Sequence, residues 1–275
     1  MLKKISVALV LLFACIGFAF SAVFIGMQFG VFNVRGAINE RNQFFTGVPR
    51  TNTCVNTAEQ TCDWKETSEW ETVKGGLLKD AEIIKKVSRE TGISERMIAT
   101  VVIPEQVRFF TSEREVFKSY FEPLKILGSL SQFSLGVSGI KQETANEIEK
   151  YTTDTESEFY AGKGMSSLIK YPDNVDRNAE LYNRLTDPKD HYYSYLYTAL
   201  YIKEIGNQWE KAGFDISHSP GIVATLFNIG FQASEPKPNP VVAGALISVG
   251  GKKYLFGELG ASFYHSNELT DVFPK

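Results

Sequence analysis

From Ile5 to Met27 the chain carries no charged residue, and this apolar run follows directly on Lys3 and Lys4. A run of that length suits a membrane-crossing helix better than an element of a water-soluble core. Ala19-Phe20-Ser21 offers a small-residue cleavage site, but apolar residues continue past it, whereas a cleaved leader has a shorter apolar stretch. The expectation is an uncleaved signal-anchor over residues 1–30, single-pass. Lys3 and Lys4 then stay on the cytoplasmic side and the remainder lies outside, on the periplasmic or cell-wall side. Arg35, Arg41 and Arg50 follow the span and reduce the charge asymmetry that sets this orientation.

An outside location gives the cysteines a meaning. Cys15 lies within the apolar run, and Cys54 and Cys62 face each other across "TCVNTAEQTC". In an oxidising compartment, two cysteines so close in sequence predict a disulfide loop. A zinc site would want four ligands, and no histidine or third cysteine stands nearby, so no metal is expected. Residues 31–75 are polar, without a sustained period, and are expected to form a stalk pinned by that disulfide. The net charge of −3 gives no broad basic field, which argues against nucleic acid as a partner.

Beyond the stalk, helical periodicity dominates. "GLLKDAEIIKKVSRETG" places Leu77, Leu78, Ala81, Ile84 and Val87 on one face, with Gly92 as the stop and Ser94 as the cap of the next helix. Pro104 is expected to end or kink that second helix. Thr144, with Glu147 three residues on, has the capping-box pattern. A long helix follows, with Leu196, Ala199, Leu200, Ile205 and Trp209 inward. In "SPGIVATLFNIG", Ser219 caps, Pro220 takes the first helical position and Gly230 ends the helix. "EPKPNP", residues 235–240, reads as a stiff linker, and "ALISVGGKKYLF" as a hairpin turning at Gly250-Gly251. A short helix over 257–264 closes the chain. An isolated hairpin is marginal in water, so this end is expected to pack on the helical body.

One carboxylate stands out. The apolar residues Ile98 to Ile103 reach Pro104 and then deliver Glu105. A carboxyl held against apolar side chains is desolvated, and one near a helix C-terminus faces the negative end of the dipole. Both effects favour the protonated form that a general acid needs. Glu113, Glu115 and Glu122 follow at a spacing that suits an exposed helix face. Three more segments matter: "SLGVSGIKQETA", with Ser138, Gly139, Ile140 and Gln142; "DPKDHYYSYLYTALYIKEI"; and "ATLFNIGF", with Phe227 and Asn228. A Glu after an apolar helix, then a Gly-Gln turn leading to Thr-Ala, then a helix ending in aromatic-Asn-x-Gly, resembles the lytic transglycosylases of the lysozyme-like superfamily. The resemblance spans residues 76–232. It departs from the family pattern in Gln106 for Ser, Ile140 for Leu, Lys141 for Met and Phe227 for Tyr, and "TSEREVFKSYFEPLKIL" looks inserted.

This resemblance implies a mainly α, lysozyme-like domain over 76–232, with an N-terminal transmembrane helix and a small C-terminal hairpin extension over 233–275. It implies a catalytic Glu105 that protonates the oxygen between N-acetylmuramic acid and N-acetylglucosamine in peptidoglycan. The muramic 6-hydroxyl then attacks and Glu105 takes back a proton, so this single carboxylate gives 1,6-anhydro ends without a second one and without a cofactor. Gln142, Ser138, Gly139, Ile140, Phe227 and Asn228 would contact the glycan strand. An anchored enzyme of this kind would cut wall close to the membrane, for remodelling or for passage of an envelope-spanning assembly. The alternatives are a hydrolytic muramidase on the same fold and a non-catalytic peptidoglycan-binding scaffold.

Overall fold

The computed structural model describes residues 13, 14, 17, 18, 63–111, 134, 135, 137–187 and 189–275. The expected disulfide Cys54–Cys62, the exposed helix expected to carry Glu113, Glu115 and Glu122, and most of the apolar N-terminal run fall outside these residues. Residues 13, 14, 17 and 18 are helical, with Phe13 and Phe18 exposed. Among the described residues no helix is long and apolar enough to cross a membrane.

The helical body begins upstream of the expected boundary at residue 76. A 3-10 turn, Trp64–Glu66, leads into α1, Ser68–Lys79, within the stretch read as stalk. Thr67 caps α1: its Oγ1 accepts from Trp70 N at 3.2 Å and donates to Trp64 O at 2.7 Å. The reason for the correction is two tryptophans. Trp64 and Trp70 are buried edge to face, 5.0 Å between ring centroids, and Trp64 Nε1 donates to Ser262 Oγ at 2.9 Å. The polar composition around them hid a large apolar contact.

The expected single helix over 76–92 is two, α1 and α2, Ala81–Thr91. The break falls at Asp80, whose φ of −92° and ψ of 7° are not helical. The Asp80 carboxylate is buried, accepts from Tyr195 Oη at 2.9 Å and pairs with His191 Nδ1 at 2.6 Å. Leu77, Ala81, Ile84 and Val87 are buried, but Leu78, expected inward, is exposed. One residue is about 100° of helix, so Leu77 and Leu78 cannot both face the core. Gly92 ends α2 at φ 77°, a left-handed conformation.

The central helix is α3, Glu95–Thr111. Ser94 Oγ accepts from Met97 N at 3.2 Å, and every residue from Met97 to Val107 is buried. A helix apolar on all sides belongs in a core. Pro104 does not end it, the first of the two outcomes expected there. A proline removes the hydrogen bond to the carbonyl four residues back, here that of Thr100. Gly260 faces this carbonyl: a Cβ on Gly260 would lie 2.9 Å from Thr100 O.

A two-residue ribbon comes next, β1 (Ser134–Leu135) paired antiparallel with β2 (Ile140–Lys141), with Leu135 opposite Ile140. Then come α4, Gln142–Thr153; α5, Arg177–Thr186; α6, Tyr192–Lys211; and α7, Pro220–Ile229. Lys141, not Thr144, takes the N-cap position of α4, so the capping box is absent and Thr144 sits in the first turn. Leu196, Ala199, Leu200, Ile205 and Trp209 of α6 are buried, as the periodicity predicts. The buried Glu149 of α4 accepts from Tyr171 Oη and Tyr197 Oη and pairs with Arg177, which ties α4 to α5 and α6. Burial and the bond to Glu149 push the Tyr171 phenol up to about 12.

The hairpin is β3, Leu246–Val249, and β4, Lys252–Leu255, with Val249 opposite Lys252. Gly250 and Gly251 have φ of 57° and 77°, the pair of positive values a two-residue turn requires. The last helix, α8, Phe256–His265, packs against α7 and α3. Its final carbonyls and the residues after it converge on Arg96, which is fully buried. Arg96 Nε donates to Tyr264 O at 2.8 Å, Nη1 to Glu268 O and Phe273 O, and Nη2 to Phe263 O and Ser266 O at 2.9 and 2.8 Å. One guanidinium thus caps a helix end and fixes the C-terminal turn. The result is a mainly helical protein whose C-terminal hairpin and helix share its core.

Candidate active site

Glu105 lies in the interior of α3, more than a turn before Thr111. The dipole of a helix acts within its last turn, so the expected contribution from a helix end does not apply. Burial does: Glu105 is 3% exposed and its neighbour Gln106 is 1% exposed. The carboxylate is not sealed in. It opens on a groove of about 540 Å³.

The turn over residues 137–139 brings backbone onto Glu105. Gln106 Nε2 donates to Val137 O, and Ser138, 1% exposed, donates through Oγ to Ser194 O of α6 at 2.9 Å. These bonds fix the turn from below and from the side. Gly139 has φ of 62°. A Cβ there would stand 2.6 Å from Glu105 Cγ and 2.5 Å from its Cδ. Only a glycine permits both the backbone angle and this approach.

Arg108, one turn along α3 from Glu105, places Nη2 2.5 Å from Glu105 Oε1. A guanidinium at that distance favours the carboxylate, whereas burial favours the neutral acid. The two influences oppose each other at one oxygen.

The far wall comes from α7 and the segment after it. Phe227 is 8% exposed, with its ring 5.0 Å from that of Tyr201 of α6. Tyr201 also packs at 4.3 Å against Phe231, and its phenol is pushed upward by burial and by the nearby charge of Glu147. Asn228 Oδ1 accepts from Ala245 N at 2.8 Å, and Thr225 Oγ1 accepts from Ala243 N at 2.9 Å. The segment after the prolines is therefore a strap held along α7. Gly244, at φ 105°, lets it pass: a Cβ there would lie 2.8 Å from Phe256 Cβ.

Of the residues expected at the site, Glu105, Gly139, Ile140, Phe227 and Asn228 line this one groove. Ser138 and Gln142 do not. Ser138 faces α6, and Gln142 opens α4 outside the groove lining. The groove also contains residues not expected to contact a ligand: Arg108 and Glu143, together with Lys141, read only as a departure from the family pattern, and Glu147, read only as half of a capping box. Glu143 and Glu147 are one helical turn apart, a spacing that could have marked them as a shared face of α4. Among the described residues no His, Cys, Asp and Glu group converges as a metal site.

Fold and site define a mainly helical protein with a buried carboxylate at the floor of a polar, aromatic-walled groove. No protein-family model matches the chain, and neither does any curated protein or solved structure compared with it.

Proposed function

We propose that the protein is a membrane-anchored, lysozyme-like lytic transglycosylase that cuts peptidoglycan strands in its groove. Glu105 is the proton donor to the glycosidic oxygen between N-acetylmuramic acid and N-acetylglucosamine. The observation that carries this reading is convergence. Glu105, the Gly139-Ile140 turn and Phe227-Asn228 come from three separate parts of the chain and line one groove. Its walls suit a sugar: Phe227, Tyr201 and Phe231 offer apolar faces, and Asn228, Lys141 and Gln232 offer hydrogen bonds. A general acid alone contributes roughly a hundred- to ten-thousand-fold, and the remainder comes from a groove that orients the strand. The Ile5–Met27 run would hold this groove near the membrane, outside the cell.

Digesting purified peptidoglycan with the wild type and with Glu105→Gln tests the reading. The wild type should release fragments with 1,6-anhydro ends, each lighter by one water than a reducing end, and the variant should release none. Reducing ends alone would establish a hydrolytic muramidase instead. A second reading, a non-catalytic strand-binding scaffold, draws support from the Arg108 contact, which favours the unreactive carboxylate. Absence of cutting by either protein, with equal strand binding by both, would favour it.

A further inference from the structure

Two opposite charges line the groove and are left unused by proton donation from Glu105. Lys141, the last residue of β2 and the N-cap of α4, is exposed and lines the groove, and Glu147, further along α4, is half-buried and lines it too. Their spacing in sequence corresponds to about 9 Å along a helix axis, so the cation stands at one end of this wall and the anion further along it. Among the described residues neither side chain hydrogen-bonds or ion-pairs with another. Arg108, by contrast, is engaged with Glu105 at 2.5 Å. Glu143, between them in sequence, also lines the groove but is exposed, and the deeper acid is Glu147. Its charge reaches the aromatic side: after burial, Glu147 is the largest influence raising the phenols of Tyr151 and Tyr201, and Tyr201 lines the groove.

We propose that Lys141 and Glu147 select wall strands by their peptides, Lys141 pairing with a free carboxylate and Glu147 with a free ammonium of one stem peptide that is not cross-linked. This deepens, and rests on, the reading of the groove as a glycan-cutting site. The muramic sugar carries its stem peptide on the lactyl group, so the peptide lies beside the bond that Glu105 acts on. Two or three extended residues, at about 3.4 Å each, span the interval between the two charges. A stem peptide with a diamino acid near its end offers an ammonium and a carboxylate at that spacing. Each cross-link removes an ammonium from one peptide and the terminal carboxylate from another, so every joined peptide has lost one of the pair. A joined peptide then leaves Lys141 or the half-buried Glu147 facing a neutral amide, whereas a free peptide satisfies both. Glu105 remains the one carboxylate in the chemistry, and neither Lys141 nor Glu147 takes part in bond breaking. The groove would act on strands before their peptides are joined, or after a peptide-bond hydrolysis has freed them.

The test measures kcat/KM of the full chain on strands bearing free stem peptides, on the same strands with their amines acetylated, and on the same strands with their peptide carboxylates amidated. Peptide-free strands, with and without acetylation, complete the set. Each comparison is a ratio within one protein, so a partial loss of folding cancels. For the wild type, acetylation and amidation should each lower kcat/KM by roughly tenfold, the scale of one hydrogen bond to a charged group, mainly through KM. Glu147→Gln should cut acetylated and unmodified strands equally and still lose on amidation. Lys141→Met should show the reverse, and Glu143→Gln should keep both wild-type ratios. A wild type indifferent to both modifications overturns the proposal. So does a Glu147→Gln protein that keeps the acetylation effect, or a Lys141→Met protein that keeps the amidation effect. An acetylation effect on peptide-free strands would place the ammonium on the sugar and would overturn it too. Failure of the underlying reading looks different, because then the wild type releases no fragments from any of these strands.

Discussion

Gly139 sits so close to Glu105 that a side chain of any size would displace the acid: a Cβ would meet Glu105 Cγ at 2.6 Å. The position also has φ of 62°. Gly139→Ala should therefore cost about 1–3 kcal/mol from backbone strain alone, with repulsion from Glu105 in addition. Chemical denaturation should show the loss of stability. Peptidoglycan cutting should fall further than stability explains, because the acid moves. A fully active Gly139→Ala would mean that the Glu105 carboxyl need not stay where the turn holds it.

The pairing of Arg108 with Glu105 predicts a pH effect. A cation beside a carboxylate favours its ionised form, so removing it favours the protonated acid. For Arg108→Met the alkaline limb of the rate profile should move to higher pH, since the acid keeps its proton further up the scale. A profile that does not move would separate the ion pair from the chemistry.

Arg96 should be a stability residue remote from the groove. It makes five hydrogen bonds to the carbonyls of Phe263, Tyr264, Ser266, Glu268 and Phe273. Hydrogen bonds to a charged group are worth about 1.5–3 kcal/mol each, though they do not add fully. Arg96→Met should lower stability in urea by at least about 3 kcal/mol. Arg96→Lys, with three donors on a single nitrogen, should recover only part of it.

Glu204 predicts the opposite sign of pH dependence from a typical paired acid. It is fully buried on α6, Thr152 Oγ1 donates to its Oε1 at 2.8 Å, and burial holds its carboxyl well above the ordinary range. The folded protein then binds a proton that the unfolded chain releases as pH rises through the ordinary glutamate value. Stability from this group is complete below that value and is lost progressively up to the raised one. Glu204→Gln keeps the shape without the charge, so the variant's unfolding free energy should fall less between pH 5 and pH 8 than that of the wild type. Parallel pH curves for the two proteins would show that Glu204 is ionised in the fold.

Several elements are readable in the chain alone because their signals are local. The inward face of α6, the Gly92 stop, the Pro220 start of α7 and the Gly250-Gly251 turn each rest on residue type at fixed spacing. Other elements escape such a reading where a distant partner overrides local preference. Pro104 is tolerated within α3, where Gly260 faces the freed Thr100 carbonyl. The helix breaks at Asp80, whose carboxylate meets His191 and Tyr195. Trp64 and Trp70 draw a polar stretch into the body by packing on Phe263 and Ser262.

The sequence by itself determined a mainly helical chain, an apolar N-terminal run and the C-terminal hairpin, because periodicity, charge and turn chemistry act over a few residues. Only the tertiary structure decided that Glu105, Gly139, Phe227 and Asn228 share a groove, that Ser138 and Gln142 stand outside it, and that Arg108 and Glu147 stand within it. Such neighbours are set by how α3, α4 and α7 pack around α6. Packing of that kind arises from shape and burial across the whole chain, which no short stretch of residues encodes.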